Sequence, residues 1–279
     1  MDKLVSIIIP TYNSEKTLAK CLESIRNQSY DDIEVIVVDN YSEDRTREIT
    51  SEYGAKVIES DAKRSKARNI GIKEAKGEFV FSVDSDMELS EEVIKECVKT
   101  FQLDKNIGGV IIPERSAGNS FWVGVRDWER SFYAGTEVES ARFFRKDLVE
   151  KVSGFDEDVI FFEDSTLPQK IEKLGYNVKA RINGEILHHE NNFSLLNWLK
   201  KKYYYGKTAQ KYKQKYKEYG KKQISLFYRF GIFLKNRRFY SKPLLSFGVL
   251  VLKGLEFFVT GLGYLSVKMR DKNVSDKIT

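Results

Sequence analysis

Over the first 112 positions, short apolar runs rich in β-branched residues alternate with longer stretches whose apolar positions recur every three or four residues. The runs fall at 4–9 (LVSIII), 33–38 (IEVIVV), 56–60 (KVIES), 78–83 (EFVFSV) and 107–112 (IGGVII), with helical periodicity at about 15–28, 43–53, 64–75 and 90–102. Strands that are apolar throughout and separated by helices predict a mostly parallel central sheet flanked by helices, an α/β fold. Ligands of such sheets bind beyond the carboxyl ends of the strands. Three polar clusters follow strands directly: Pro10-Thr11-Tyr12-Asn13, Asp39-Asn40 and Asp84-Ser85-Asp86. They are expected to meet on one rim.

From 112 to 170 the pattern is less regular, with aromatic and charged residues interleaved. It returns to a strand at 141–146, a turn at Gly154, and a helix after FFEDSTLP in which Pro168 is tolerated in the first turn. Residues 185–190 read as a short strand ending in His188-His189-Glu190, and everything beyond Ser194 reads as helical. The expected organisation is an α/β body at 1–199, made of a regular half at about 1–112 and a less regular half at about 113–199. A helical C-terminal region follows at 200–279.

Charge sharpens that division. Residues 1–199 carry 27 Lys+Arg against 37 Asp+Glu, and residues 200–279 carry 20 against 4. An acidic body with a basic appendage predicts an anionic surface as partner. Lysines and tyrosines interleave at 200–222, a pattern that also suits nucleic acid, but the next segment argues for a membrane and no nucleic-acid partner is expected. At 222–239, Leu226, Phe227, Phe230, Phe233 and Leu234 fall on one helical face, as in a helix lying in an anionic interface; packing on the α/β body is the alternative. Segment 244–267 is long enough to span a bilayer. Its fourteen Leu, Val and Phe sum to roughly −4 to −8 kcal/mol, against about +5 to +7 for Lys253 and Glu256, so the arithmetic leaves spanning and interfacial placement both open. Self-association through this segment is a further expectation. The N-terminus has no apolar signal-peptide core, which places the α/β body on the cytoplasmic side of the cell membrane. Cys21 and Cys97 match no metal or redox spacing and read as core thiols.

Two carboxylates at i and i+2 after a buried strand make chemical sense if a divalent cation neutralises them. Mg²⁺ and Mn²⁺ take hard oxygen ligands, keep waters, and bind substrate phosphates through one or two carboxylates. The bland account of Asp84 and Asp86 is a turn ahead of a helix capped by Ser90. Asp39 is either an Asx-turn residue or the acceptor for a base N–H, which fits uracil and guanine alike. Arg68, with its planar donor fork, suits a diphosphate or ribose. Glu163-Asp164 forms a second acidic cluster ahead of a helix; Asp164 near an acceptor hydroxyl could take its proton. The two adjacent histidines point to opposite faces of a strand, so at most one looks into a site.

The ordered set SIIIPTYNSEKTLAKCLESIRNQSYDDIEVIVVDNYSEDRT, KARNIGIKEAKGEFVFSVDSD, ARFFRKDLVEKVSGFDEDVIFFEDSTL and the histidines followed by YYYGK resembles family 2 glycosyltransferases of the GT-A fold over about residues 4–207. The resemblance implies that Pro10, Thr11, Tyr12, Asn13 and Asp39 lie around the nucleoside, Arg68 and Asn69 near the nucleotide, and Asp84, Ser85 and Asp86 in a DxD metal-diphosphate motif. It implies Asp164, paired with Glu163, as the general base of an inverting transfer, and His189 rather than His188 as the late histidine near the metal. After Glu-Asp the chain departs from the family pattern, with Ser165, Thr166 and Pro168 intervening and Lys170 at the basic position. The implied reaction moves a sugar from a UDP- or GDP-sugar to an acceptor hydroxyl, with Mg²⁺ or Mn²⁺. A membrane-tethered enzyme gains effective concentration for a lipid-linked saccharide acceptor of glycan assembly. Two rivals remain: a phosphotransferase or phosphohydrolase using Asp84 as nucleophile, and a catalytically silent membrane scaffold. A Rossmann dehydrogenase is disfavoured, because the first strand-to-helix turn has no Gly-x-Gly-x-x-Gly.

Overall fold

A computed structural model describes residues 3–191 and 193–275. In chain order its elements are β1 Val5–Thr11, α1 Leu18–Arg26, β2 Ile33–Asp39, α2 Thr46–Glu52, β3 Lys56–Glu59, α3 Ser65–Glu74, β4 Phe79–Ser82, β5 Met87–Leu89, α4 Val93–Leu103, β6 Gly109–Ile111, β7 Glu114–Ala117 and α5 Phe121–Arg130. There follow β8 Phe143–Arg145, α6 Lys146–Lys151, α7 Thr166–Glu172, β9 Ala180–Arg181, β10 Ile186–His189, α8 Leu195–Lys215, α9 Lys217–Ile224, α10 Leu226–Leu234 and α11 Pro243–Ser275.

These elements form two compact units that are interleaved along the chain. The first comprises residues 1–115, 139–157 and 163–189; the second comprises 116–138, 158–162 and 190–279. The division differs from the expected boundary at residue 199. Segment 116–138, expected in the less regular half of the α/β body, groups with the C-terminal helices because Val125, Trp128, Phe132 and Tyr133 share a core with Trp198, Phe233, Phe239, Val249 and Leu252.

The first unit is built on a seven-stranded sheet of order β3-β2-β1-β4-β8-β6-β9. Strands β3, β2, β1 and β4 run parallel, and β8 is antiparallel to both β4 and β6. Alternation of side chains along β1 explains why helices cover both faces. Val5, Ile7 and Ile9 pack with Leu18, Cys21, Leu22 and Ile25 of α1 and with Val93, Ile94, Cys97 and Val98 of α4. Ile8 faces the other way, towards Ala67 and Ile72 of α3, Leu148 and Val149 of α6, and Leu167 and Ile171 of α7. Both cysteines are buried and unbridged, as core thiols should be. Phe79, Phe101 and Phe143 stack with ring centroids 4.9–5.9 Å apart; truncating one of them to alanine should cost about 3–5 kcal/mol.

The chain leaves β1 outward through β2 and β3 and returns on the other side as β4. That reversal between β1 and β4 is a topological switch point, where the carboxyl ends of neighbouring strands open a crevice. A short strand absent from the sequence expectations, β5, pairs antiparallel with β10 in a separate small sheet. Ser90 does not cap α4; its hydroxyl accepts from the Glu185 amide at 3.0 Å and so ties the strand ends together.

The second unit is helical. Ser120, Ser194 and Ser225 cap α5, α8 and α10 by accepting backbone amides. Helix α11 packs along α8 where Gly206 and Gly263 allow it: a β-carbon at either glycine would collide with the Thr260 or Tyr203 carbonyl. A 27-residue part of α11, Pro243–Met269, is long and apolar enough to cross a membrane by length and composition.

Candidate active site

The crevice of the first unit collects most of the polar residues singled out in the sequence. At the end of β1, Thr11 donates to the Asp39 carboxylate at 2.8 Å. The amide and hydroxyl of Ser42 donate to the same carboxylate at 2.8 and 2.6 Å. Asp39 is fully buried. Its carboxylate therefore joins the loops after β1 and β2 and does not project into solvent, which is the Asx-turn role. Asn13 is held in the left-handed region (φ 48°), with its amide on Ser42 and its side-chain carbonyl accepting from Glu43. Pro10 is the penultimate residue of the strand, and Tyr12, just past its end, is left 63% exposed.

Asp84 lies just past β4. Arg68 on α3 donates to it at 2.8 Å, and Arg142, at the entry to β8, lies 3.5 Å away. Burial alone would raise its pKa; the two guanidiniums overcome that and hold it far below the usual carboxylate range. Each of its oxygens faces a guanidinium, and neither stands free to attack a phosphorus as the phosphotransferase rival requires. Arg68 has two buried donors, Nε and Nη1, without a partner, an expensive state that an incoming anion would relieve. Asn69, next on α3, forms a two-way clamp on the backbone of Phe155, donating at 2.9 Å and accepting at 2.8 Å. It shapes the rim by fixing the Gly154 turn. Ser85 donates to Ser14 at 3.0 Å and tethers the acidic triplet to the first loop.

Asp86 faces His188, whose Nε2 is 3.0 Å from its carboxylate. The resemblance pointed to His189, but that side chain meets Glu88 at 2.6 Å. Alternation along β10 sends the two histidines to opposite faces; Asp86 lies in the turn just before β5, outside the ladder, and its side chain meets His188. Among the described residues no group of three or more His, Cys, Asp or Glu is gathered as a metal cage. The donor set of Asp86 with His188 nevertheless suits a hard divalent cation that takes most of its shell from water and a diphosphate. Asp84, engaged by its arginines, is less available than Asp86.

Glu163 and Asp164 form the short 3-10 turn before α7. Glu163 is paired with Arg64 at 2.8 Å, and Arg64 itself sits at φ 46°, the kind of strained backbone that collects around functional sites. Asp164 behaves oppositely to Asp84. Burial, reinforced by Glu163, pushes its pKa up to about 6, against the pull of Arg142 and Arg68. A carboxylate poised there is suited to taking a proton near neutrality. Arg142 connects the two carboxylates electrostatically and is itself anchored by Glu114 at 2.6 Å. Neither Arg142 nor Glu114 stood out in the sequence; the available signal was a charged residue opening an otherwise apolar strand, ARFF. Lys170, at the departing basic position, pairs with Asp156 at 3.1 Å.

Comparison with known proteins gives the site a context. The model of Glycosyl transferase family 2 matches residues 6–148. Glycosyltransferase GlyG of Streptococcus pneumoniae is 34% identical over 132 residues, 44% of this chain and 44% of that protein. A dolichyl N-acetyl-alpha-D-glucosaminyl phosphate 3-beta-D-2,3-diacetamido-2,3-dideoxy-beta-D-glucuronosyltransferase of Methanococcus voltae is 29% identical over 212 residues, 64% of each chain. The first curated relatives are matched over 18–63% of their own length. Among solved structures, mannosyltransferase PcManGT from Pyrobaculum calidifontis, in complex with GDP-Man and Mn²⁺, superposes with a TM-score of 0.65 at 19% identity, covering 100% of this chain and 87% of that one. The shared fold is the GT-A fold.

Proposed function

The chain belongs to glycosyltransferase family 2, and on that premise we propose that it moves a sugar from a UDP- or GDP-sugar to an acceptor hydroxyl with inversion, Asp164 acting as general base. The observation that carries the reading is the contrast between two neighbouring carboxylates: Asp84 is locked ionised by Arg68 and Arg142, while Asp164 is held near pKa 6. Environments that push two titratable groups apart assign them different roles.

Arg68 and Arg142 offset charge that develops on the departing diphosphate, and the two unpartnered donors of Arg68 are the groups an incoming phosphate oxygen would complete. Asp86 with His188 would hold a divalent cation, which supplies further charge neutralisation at the diphosphate when bound. Tyr12, exposed beside the Thr11/Asp39 junction, offers a face for the base. Asp164 takes the proton of the acceptor hydroxyl as the acceptor oxygen bonds to the anomeric carbon. The bond from that carbon to the diphosphate breaks, and its electron pair leaves with the nucleotide.

The acceptor is proposed to be a lipid-linked saccharide, with the protein attached to the membrane by its helical unit and the catalytic unit on the cytoplasmic side. The basic, apolar character of 200–269 and the dolichyl-linked substrate in the Methanococcus voltae relative's name support this. The test is Asp164→Asn. Product formation should fall at least about a hundredfold, while donor affinity stays within the wild-type range. Near-normal transfer by the variant removes Asp164 from the role.

A further inference from the structure

Helix α11 is apolar where it faces out and carries its charges where it faces in, beside the buried Val249 and Leu252. Leu244, Phe247, Phe258, Leu262, Leu265 and Met269 are exposed. With Val251 and Gly254 they recur every three or four residues, which places them on a single side of the helix. At 1.5 Å per residue the stripe runs about 37 Å. The charged residues between Lys242 and Lys268 are turned inward: Lys253 pairs with Glu129 of α5 at 2.5 Å and also with Glu256, which pairs with Lys202 of α8 at 2.5 Å. A helix facing water has the reverse arrangement. Helix α10 adds Leu226, Leu234 and the 89% exposed Phe227.

Length would let α11 cross a bilayer, but its partners would not. The inward face is fixed to α8, whose 202–213 stretch runs beside 256–264, with Lys202 on Glu256 and Lys213 over the Tyr264 ring at 6.0 Å. Exposed Lys207, Lys211 and Lys213 on that stretch would be carried to hydrocarbon depth, where lysine is costly. The ends of the stripe are cationic instead. Lys235, Arg237 and Lys242 are exposed before it and Lys268 at its far end, and among the described side chains of 195–269 the sole carboxylate is the partly buried, paired Glu256.

We propose that α11 lies in the plane of the membrane, its outward stripe sunk among the acyl chains of an anionic leaflet and the flanking lysines and arginines at the headgroups. This rests on the membrane attachment proposed above and decides its geometry: a surface helix held by a bundle, not a span. Apolar insertion together with basic headgroup contacts is the chemistry of such surfaces.

The test uses the full chain and vesicles of phosphatidylcholine with or without phosphatidylglycerol. Wild-type protein should sediment with the mixed vesicles. Phe247→Asp with Phe258→Asp should reduce binding at least tenfold, with the wild-type circular dichroism melt and unchanged transfer to a soluble saccharide acceptor. Lys235→Gln with Arg237→Gln should weaken binding by about fivefold per charge removed. Placement is read with Lys242→Cys and Lys268→Cys in one chain, reconstituted into the mixed vesicles and treated with a membrane-impermeant maleimide. An in-plane helix gives molecules with two labels or none. Singly labelled molecules would overturn the in-plane placement while leaving membrane attachment standing. Absence of sedimentation with either vesicle overturns both, and a solution dimer dispersed by Phe258→Asp without vesicle binding assigns the stripe to a second copy. Loss of transfer in Asp164→Asn with vesicle binding intact bears on the reaction alone.

Discussion

Both units bury charge, and they do so to opposite ends. In the helical unit Lys253, Glu129, Glu256 and Lys202 close a chain of ion pairs. Burial works against the Lys253 ammonium, yet Glu129 and Glu256 hold its pKa above the usual lysine range, and burial of Glu129 is likewise overcome by Lys253. In the catalytic unit the same ingredients are left uneven: Asp84 has two guanidiniums, Asp164 lies beside Glu163 with too little compensation, and Arg68 keeps two buried donors without partners. Arg229 of α10 also keeps Nε and Nη1 without partners, so unpaired donors alone do not set the units apart; the uneven pair of Asp84 and Asp164 does, and perturbed carboxylates of that kind collect at functional sites.

The contrast can be broken at either end. The largest expected effect is on turnover: Asp164→Asn should lower transfer by about 10²–10⁴-fold without lowering the denaturant midpoint, since the substitution removes a charge that burial already disfavours. In the helical unit Lys253→Met should cost about 3–5 kcal/mol of unfolding free energy because it takes Glu129's ion-pair partner and leaves Glu256 with Lys202 alone; adding Glu129→Gln should recover part of that loss. An unchanged midpoint for Lys253→Met would mean the ion pairs are not closed.

Smaller effects sharpen the picture. His188→Gln should weaken Mn²⁺ affinity in the presence of nucleotide by about 10–100-fold, whereas His189→Gln should leave it near wild type; calorimetric titration separates the two. The pH profile follows from Asp164. Its folded pKa lies near 6 against an ordinary 3.8, so transfer should rise as pH increases through about 6. Over the same window the group's contribution to stability, fully present below 3.8, is lost. Arg142→Gln removes a cation that favours the charged form, and the acid limb should move to higher pH.

Much of this was legible in the sequence, for a physical reason. Strands buried on both faces leave apolar runs, so 4–9, 33–38, 56–60 and 78–83 were readable within two residues of β1 to β4, and side chains that follow such strands must share a rim. Pairings across the chain were not legible. Which histidine meets Asp86 depends on the turn before β5, and β5 is only three residues long. Arg142 matters because antiparallel β8 starts where β4 ends, a fact of topology that one arginine in ARFF cannot announce. The grouping of 116–138 with the C-terminal helices rests on contacts formed over more than 60 positions, such as the Trp128 indole donating to Ser246 and the Phe132 ring against Phe233.

The interleaving of the two units has a consequence for how such an enzyme can be taken apart. Residues 158–162 belong with the helices, where Phe161 and Phe162 stack on Tyr212, and the very next residues are Glu163 and Asp164. A truncation that discards the last eighty residues would remove the aromatic clasp that secures the segment leading into Glu163 and Asp164. The helical unit is therefore not a detachable cassette: no single cut in the chain parts it from the first unit and leaves both whole.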